Sequence, residues 1–182
     1  MTAQLHAAAT AQLHAWHTDD LSQNALRHAM LAFLAARQDA CARACEPGHL
    51  TASALVLDHD STHVLLTLHP RVGRWIQLGG HCEDTDATLV DAALREAQEE
   101  SGVDQLHIDP MVLHLDTHPV TCSLGIPTRH LDVRFLVRAE RDAQIVRSAE
   151  SVDLRWWPVD ALPNSATEDT VAELVRLALQ RT

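Results

Sequence analysis

The segment Arg95-Glu96-Ala97-Gln98-Glu99-Glu100-Ser101-Gly102-Val103 brings three carboxylates together if it is a helix. At ~100° per residue, Glu99 lies about 60° to one side of Glu96 and Glu100 about 40° to the other, so a single narrow face carries all three. Val90, Ala93, Leu94 and Ala97 make the adjoining apolar face that can dock on a sheet. Like charges at this spacing are mildly destabilising, and Arg95, four residues before Glu99, is the counter-charge at hand. In an isolated helix such a face is ordinarily just solvated. Here Gly79-Gly80 comes shortly before it, and backbone without Cβ atoms can approach side chains closely and offer a carbonyl oxygen. Hard oxygen ligands of this kind suit Mg²⁺ or Mn²⁺, whose octahedron water and phosphate oxygens complete.

The flanking sequence supplies elements to hold that helix. Apolar spacing through Leu5, Leu13, Trp16, Leu26, Met30, Leu31, Phe33 and Leu34 predicts one or two helices over residues 3–46, ended by Pro47-Gly48. The pentapeptide Ala-Gln-Leu-His-Ala at 3–7 and 11–15 is too short to define a repeat fold. Residues 53–57 and 63–68, split by Asp58-His59-Asp60-Ser61, read as a hairpin. A strand over 75–78, a glycine turn and a helix from about Asp86 to Ser101 follow, with Gly102 as the C-terminal stop. Strands over 111–115, 131–137 and 152–157 precede a last helix over 166–179. This order predicts an α/β/α sandwich around a mixed sheet at residues 47–182, with a helical N-terminal extension over 1–46.

Composition narrows the partners. All 14 cationic residues are Arg against 25 acids, for a net charge of −11. That field repels nucleic-acid backbones, and an anionic substrate then needs a metal or a local Arg cluster. Without Lys, Schiff-base and P-loop chemistry are excluded. No basic leader or membrane-length apolar run is present, so a cytoplasmic protein with no membrane partner is expected. Cys41, Cys45, Cys82 and Cys122 are too few for a disulfide framework, and Cys41, Cys45 and His49 read as buried groups rather than a zinc site.

The stretch from Arg95 to Val103 resembles the second half of the Nudix hydrolase motif at every specified position. The first half departs from it. Gly80 fits only with a one-residue insertion in residues 81–86, and Asp86 is the nearest acidic substitute, as well as a good helix N-cap. The likeness covers about residues 50–181. It implies a pyrophosphohydrolase acting on a nucleoside diphosphate linked to another moiety, with Mg²⁺ or Mn²⁺ held by Glu96, Glu100, Glu99 and the Gly80 carbonyl, and with Arg95 orienting the carboxylates. The general base is Glu150, in the loop before the late strand, or Glu99 of the motif itself.

Arg71, Arg74 and Arg129 are candidates for outer phosphates. Trp75, Trp156 and Trp157 are candidates for base stacking, though the core is the commoner place for each, and the last two point to opposite sides of a strand. The N-terminal helices could shape the pocket or a homodimer contact. His81-Cys82 beside Gly80 also resembles the isopentenyl-diphosphate isomerases, in which Cys82 would move the proton. A nucleotide sensor without turnover is the remaining alternative.

Overall fold

The structure, a computed structural model, describes residues 3–121, 125, 127–167 and 170–181. Cys122 therefore lies outside the described residues. Two helices, α1 (Ala3–Ala15) and α2 (Leu21–Ala36), come first. Asp20 caps α2 by accepting from the backbone N–H of Ser22 and Gln23. The strands β1 (His49–Leu57), β2 (His63–Leu68), β3 (Trp75–Ile76) and β4 (Leu78–His81) lead to helix α3 (Leu89–Ser101). Then come β5 (Leu106–Thr121), β6 (Pro127–Ala139), β7 (Asp153–Pro158), a short α4 (Asn164–Thr167) and α5 (Val171–Leu179).

The strands form one mixed sheet in the order β3-β2-β1-β6-β5, with β4 also on β1 and β7 also on β2. The β1–β6 pair is parallel, from His49 opposite His130 to Leu57 opposite Arg138. β1 pairs with β2 only at its end, Val56 and Leu57, while Thr51 to Ala54 pair with β4. One edge of β1 is thus shared between two strands, which curls the sheet.

Alternation along the strands builds a helix layer on each side. Leu50, Ala52, Val133 and Phe135 pack with Leu5, Leu13, Met30 and Leu34 of the N-terminal helices and with Leu89, Ala92 and Ala93 of α3. Farther along that side, Ala54, Val56, Leu78 and Val137 enclose Ala97. On the other side Leu55, Leu57 and Leu136 meet Val171, Leu174, Val175 and Ala178 of α5. The expected α/β/α sandwich is present, and the N-terminal helices share its core.

Several boundaries differ from the sequence reading. The first glycines are not a turn: Gly79 and Gly80 are paired residues of β4, opposite Ser53 and Ala52. Helix α3 begins at Leu89 rather than Asp86, because Thr88 is the N-cap: its hydroxyl accepts from the Asp91 N–H and donates to the Asp91 carboxylate. Asp86 instead closes the preceding turn, accepting from the Glu83 N–H at 2.7 Å. β5 and β6 are longer than expected, and β5 bulges between Ile108 and His114. That irregularity breaks the simple alternation by which a strand is recognised.

Candidate functional site

The turn of α3 that carries the acids lies along the open edge of β4. Gly79 has φ +146°, a conformation that favours glycine, and a Cβ there would meet Ser53 at about 2.5 Å. A Cβ on Gly80 would lie 2.7 Å from the Glu96 carboxylate. Gly80 therefore lets the strand backbone meet a helix carboxylate, and Gly79 lets β4 lie close against β1. Glu100 Oε2 accepts the Gly79 N–H at 3.2 Å.

Glu96 and Glu100 are buried, with 13% of the Glu96 side chain and 7% of Glu100 exposed. Desolvation, chiefly, raises Glu96 to about 7 and Glu100 to about 8; the Glu96 charge adds to the rise at Glu100, and the Glu99 charge adds to both. Glu99 stands apart, with 60% of its side chain in solvent. The predicted trio is therefore a buried pair with an exposed neighbour.

Arg95 holds this turn in place. Its Nε and Nη2 donate to the two Asp86 oxygens at 3.1 and 3.0 Å, and Nη2 also donates to the His81 carbonyl at 2.9 Å. Nη1 donates to Glu96 and Glu99, both at 3.1 Å. A bidentate fork of this kind fixes direction as well as charge. Asp86, four per cent exposed, is thus tied to the acidic turn of α3 through Arg95.

Glu150 is exposed in the loop before β7, and its charge is among those that raise Glu96 and Glu100. Arg71 and Arg74 are exposed on the β2–β3 turn, and Arg129 is exposed on β6. The structure does not gather these three guanidinium groups around the carboxylates through any ion pair among the described residues. Trp75 meets Trp157 edge-on at 5.2 Å, beside the α5 core, while Trp156 packs on the opposite core. The two adjacent tryptophans do point to opposite sides.

Cys82 is 4% exposed, packs in the core shared with the N-terminal helices, and burial raises its thiol far above the ordinary range. Cys41 and Cys45 are likewise buried and free.

The sheet face beyond the end of α5 was not singled out in the sequence. Asp132 accepts from Thr51 at 2.9 Å, from Ser53 at 2.8 Å and from Arg134 at 2.8 Å. Arg134 also donates to Asp116 at 2.9 Å, and His118 Nδ1 shares that carboxylate at 2.8 Å. The hydrogen bond to Asp116 raises the His118 imidazole above its ordinary value. Burial, chiefly, lowers His130 to about 4 and His81 to about 3. The signal that could have found this face is alternation: His49-x-Thr51-x-Ser53, His130-x-Asp132-x-Arg134 and His114-x-Asp116-x-His118 are polar at every second residue of strands otherwise rich in apolar residues.

Fold and sequence together define the class of protein to which the chain belongs. The family model described as the NUDIX domain matches residues 47–177. The chain belongs to the NUDIX domain family. Its fold is similar to an Ap4A hydrolase of C. elegans, with 19% identity, a TM-score of 0.56, and coverage of 72% of this chain and 96% of that one. It is similar to the dihydroneopterin triphosphate pyrophosphohydrolase of E. coli, at 18% identity and a TM-score of 0.56 over 73% and 96% of the two chains. An ADP-ribose pyrophosphatase of Streptococcus suis matches at 21% identity and a TM-score of 0.52 over 72% and 90%. No curated protein matches the chain at a significant level. Among the described residues no helix is long and apolar enough to cross a membrane.

Proposed function

We propose that the chain hydrolyses a phosphoanhydride bond in a nucleoside diphosphate linked to another moiety, using Mg²⁺ or Mn²⁺. The observation that carries this reading is the buried Glu96–Glu100 pair against a backbone cleared of Cβ atoms. Two carboxylates held far above their ordinary range are poorly solvated anions, and a hard divalent cation is the partner such a donor set fits. Glu96 and Glu100 are its principal ligands, with the Gly80 carbonyl and Glu99 completing the protein's share. Bound there, the cation would offset charge on phosphoryl oxygens and make water a better nucleophile.

The remaining steps belong to side chains. Arg95 positions Glu96 through its direct bond and fixes the loop through Asp86, so that the carboxylates are aligned before substrate arrives. Glu99 or Glu150 takes the proton of the attacking water; both are exposed and can exchange it with solvent. Arg71, Arg74 and Arg129 contact outer phosphates, and Trp75 offers a ring edge to a base. Residues 1–46 act as a helical extension to a catalytic domain at 47–182, shaping its pocket or a homodimer contact. The net charge of −11 weighs against nucleic acid or an anionic membrane surface as a partner.

An isomerase reading finds no support in Cys82, which is 4% exposed and whose thiol burial raises far above its ordinary range. The neighbours' named substrates put dinucleoside polyphosphates and ADP-ribose first in a screen with Mg²⁺ and Mn²⁺, followed by modified nucleoside triphosphates. Cleavage of at least one, abolished by Glu100→Gln, is expected. Binding without turnover under either metal would leave a sensor, and no cleavage with an inert Glu100→Gln would end the hydrolytic reading.

A further inference from the structure

The carboxylate site leaves a second cluster of ligand-type side chains unused. His49 at the start of β1 stands opposite His130 across the parallel pairing, and His81 at the end of β4 stands opposite Thr51, two residues along β1. Their ring centroids are 5.0 to 5.1 Å apart, with interplanar angles of 39°, 56° and 89°. The rings converge rather than stack. One ligand atom from each lies within 4.8 Å of the other two, a grouping of His, Cys, Asp or Glu that no other described residues make.

Two of these residues carry an unsatisfied nitrogen. Nε2 of His49, a residue 1% exposed, and Nε2 of His130 are buried with no hydrogen-bond partner among the described residues. His49 Nδ1 lies 3.3 Å from the Cys45 carbonyl, which can only accept. Nδ1 therefore carries the proton, and Nε2 keeps a bare lone pair, the arrangement by which a backbone carbonyl orients a metal-binding imidazole. Packed neutral histidines in a polar pocket would ordinarily find donors for such lone pairs. His118, with its ring 5.3 Å from that of His130, is already committed to Asp116.

We propose that His49, His81 and His130 form a second metal site, for a divalent transition ion of the Zn²⁺ class, with a coordination position left open to an anion. Imidazole is the ligand type that favours Zn²⁺, Co²⁺ or Ni²⁺ over Mg²⁺. Zn–N bonds of about 2.0–2.1 Å set tetrahedral nitrogens about 3.3 Å apart, so the rings draw in by about 1 Å through side-chain rotation while the strands hold their Cα atoms. Three protein ligands leave the fourth position free. Water or a small anion would fill that position. The site lies on the opposite side of β4 from Glu96, and it stands whether or not the hydrolytic reading is right.

The test is metal titration of the full, untagged chain in excess Mg²⁺, which occupies hard oxygen ligands and leaves imidazoles free. One equivalent of Zn²⁺ retained per chain is expected, with Co²⁺ giving the visible absorption of a nitrogen-ligated ion that shifts on adding inorganic phosphate. His81→Gln and His130→Gln each weaken Zn²⁺ binding by at least about 100-fold, while Glu96→Gln leaves it unchanged. Binding that survives both histidine substitutions, or that only Glu96→Gln removes, overturns the proposal. X-ray absorption on the Zn²⁺-loaded parent protein decides between the outcomes even if the variants misfold. Three imidazoles in the shell support the site, and sulfur or fewer imidazoles refutes it.

Discussion

One face of the sheet runs unbroken along β1, β6 and β5, yet its two ends are made of opposite materials. Under α5, Leu55, Leu57 and Leu136 close an apolar core. One or two strand steps away on the same face, Thr51, Ser53, Asp132 and Arg134 are just as buried but polar. The pleat is the same at both ends. What changes is cover: the nine residues of α5 extend about 13 Å, whereas the nine of β1 extend about 30 Å. Stability is concentrated where a helix closes the face. Polar side chains are collected where none does, and they must be satisfied by one another.

The largest effects should separate these ends and the carboxylate rim cleanly. Glu100→Gln is expected to lower kcat/KM by about 10³-fold in steady-state kinetics, the scale of losing a principal electrostatic group in a site of this kind. Its melting temperature at pH 8 should stay level or rise, because the substitution removes a buried charge that desolvation disfavours. Leu55→Ala should do the reverse. It removes a fully buried side chain beneath α5, costing about 3 kcal/mol in denaturant unfolding while the folded fraction keeps its specific activity. If Leu55→Ala reduced turnover without reducing stability, the division between the two ends would fail.

How much of this division could be read from residues alone depends on how local its signals are. The acidic turn was legible because helical periodicity brings Glu96, Glu99 and Glu100 together within a single turn. Its burial was not, since only the approach of Gly79 and Gly80 in a paired strand takes Glu96 and Glu100 out of water and leaves Glu99 in it. Asp86 reads as a helix cap from sequence, and the Thr88 hydroxyl takes that role two residues later. The polar end of the sheet was the least legible, because His49, His81 and His130 come from strands separated by up to 81 positions and meet only through the pairing of β1 with β4 and β6.

A smaller effect distinguishes the rim from the polar face by pH. The folded carboxylates at Glu96 and Glu100 keep protons to about 7 and about 8, which the unfolded chain releases near 4.5. Stability contributed by their protonated forms is therefore lost as pH rises through that interval. His81 and His130 are depressed instead, to about 3 and about 4, so their contribution grows between those values and the ordinary imidazole range near 6.5. The two trends oppose each other below pH 6.5; above it the carboxylates dominate, joined in the same direction by His118, which its bond to Asp116 raises. Metal-free protein should lose roughly 2 kcal/mol between pH 6.5 and 8.5. Glu100→Gln should flatten that decline, and saturating Mg²⁺, which binds the ionised form, should flatten it in the parent chain. An undiminished slope in Glu100→Gln would assign the titration elsewhere.

The smallest effect lies at the solvent-facing margin. Arg71 is exposed on the β2–β3 turn, so its attraction for a phosphate acts through water and is screened within about 10 Å at 0.1 M salt. Charges held this way contribute at most about 1 kcal/mol, or a few-fold in binding. Arg71→Ala should therefore raise KM a few-fold and leave kcat and thermal stability unchanged, with the difference from the parent chain fading as salt is raised. A loss confined to kcat would move Arg71 out of the margin and into the carboxylate rim, because only a group whose contact strengthens in the transition state changes turnover without changing substrate affinity.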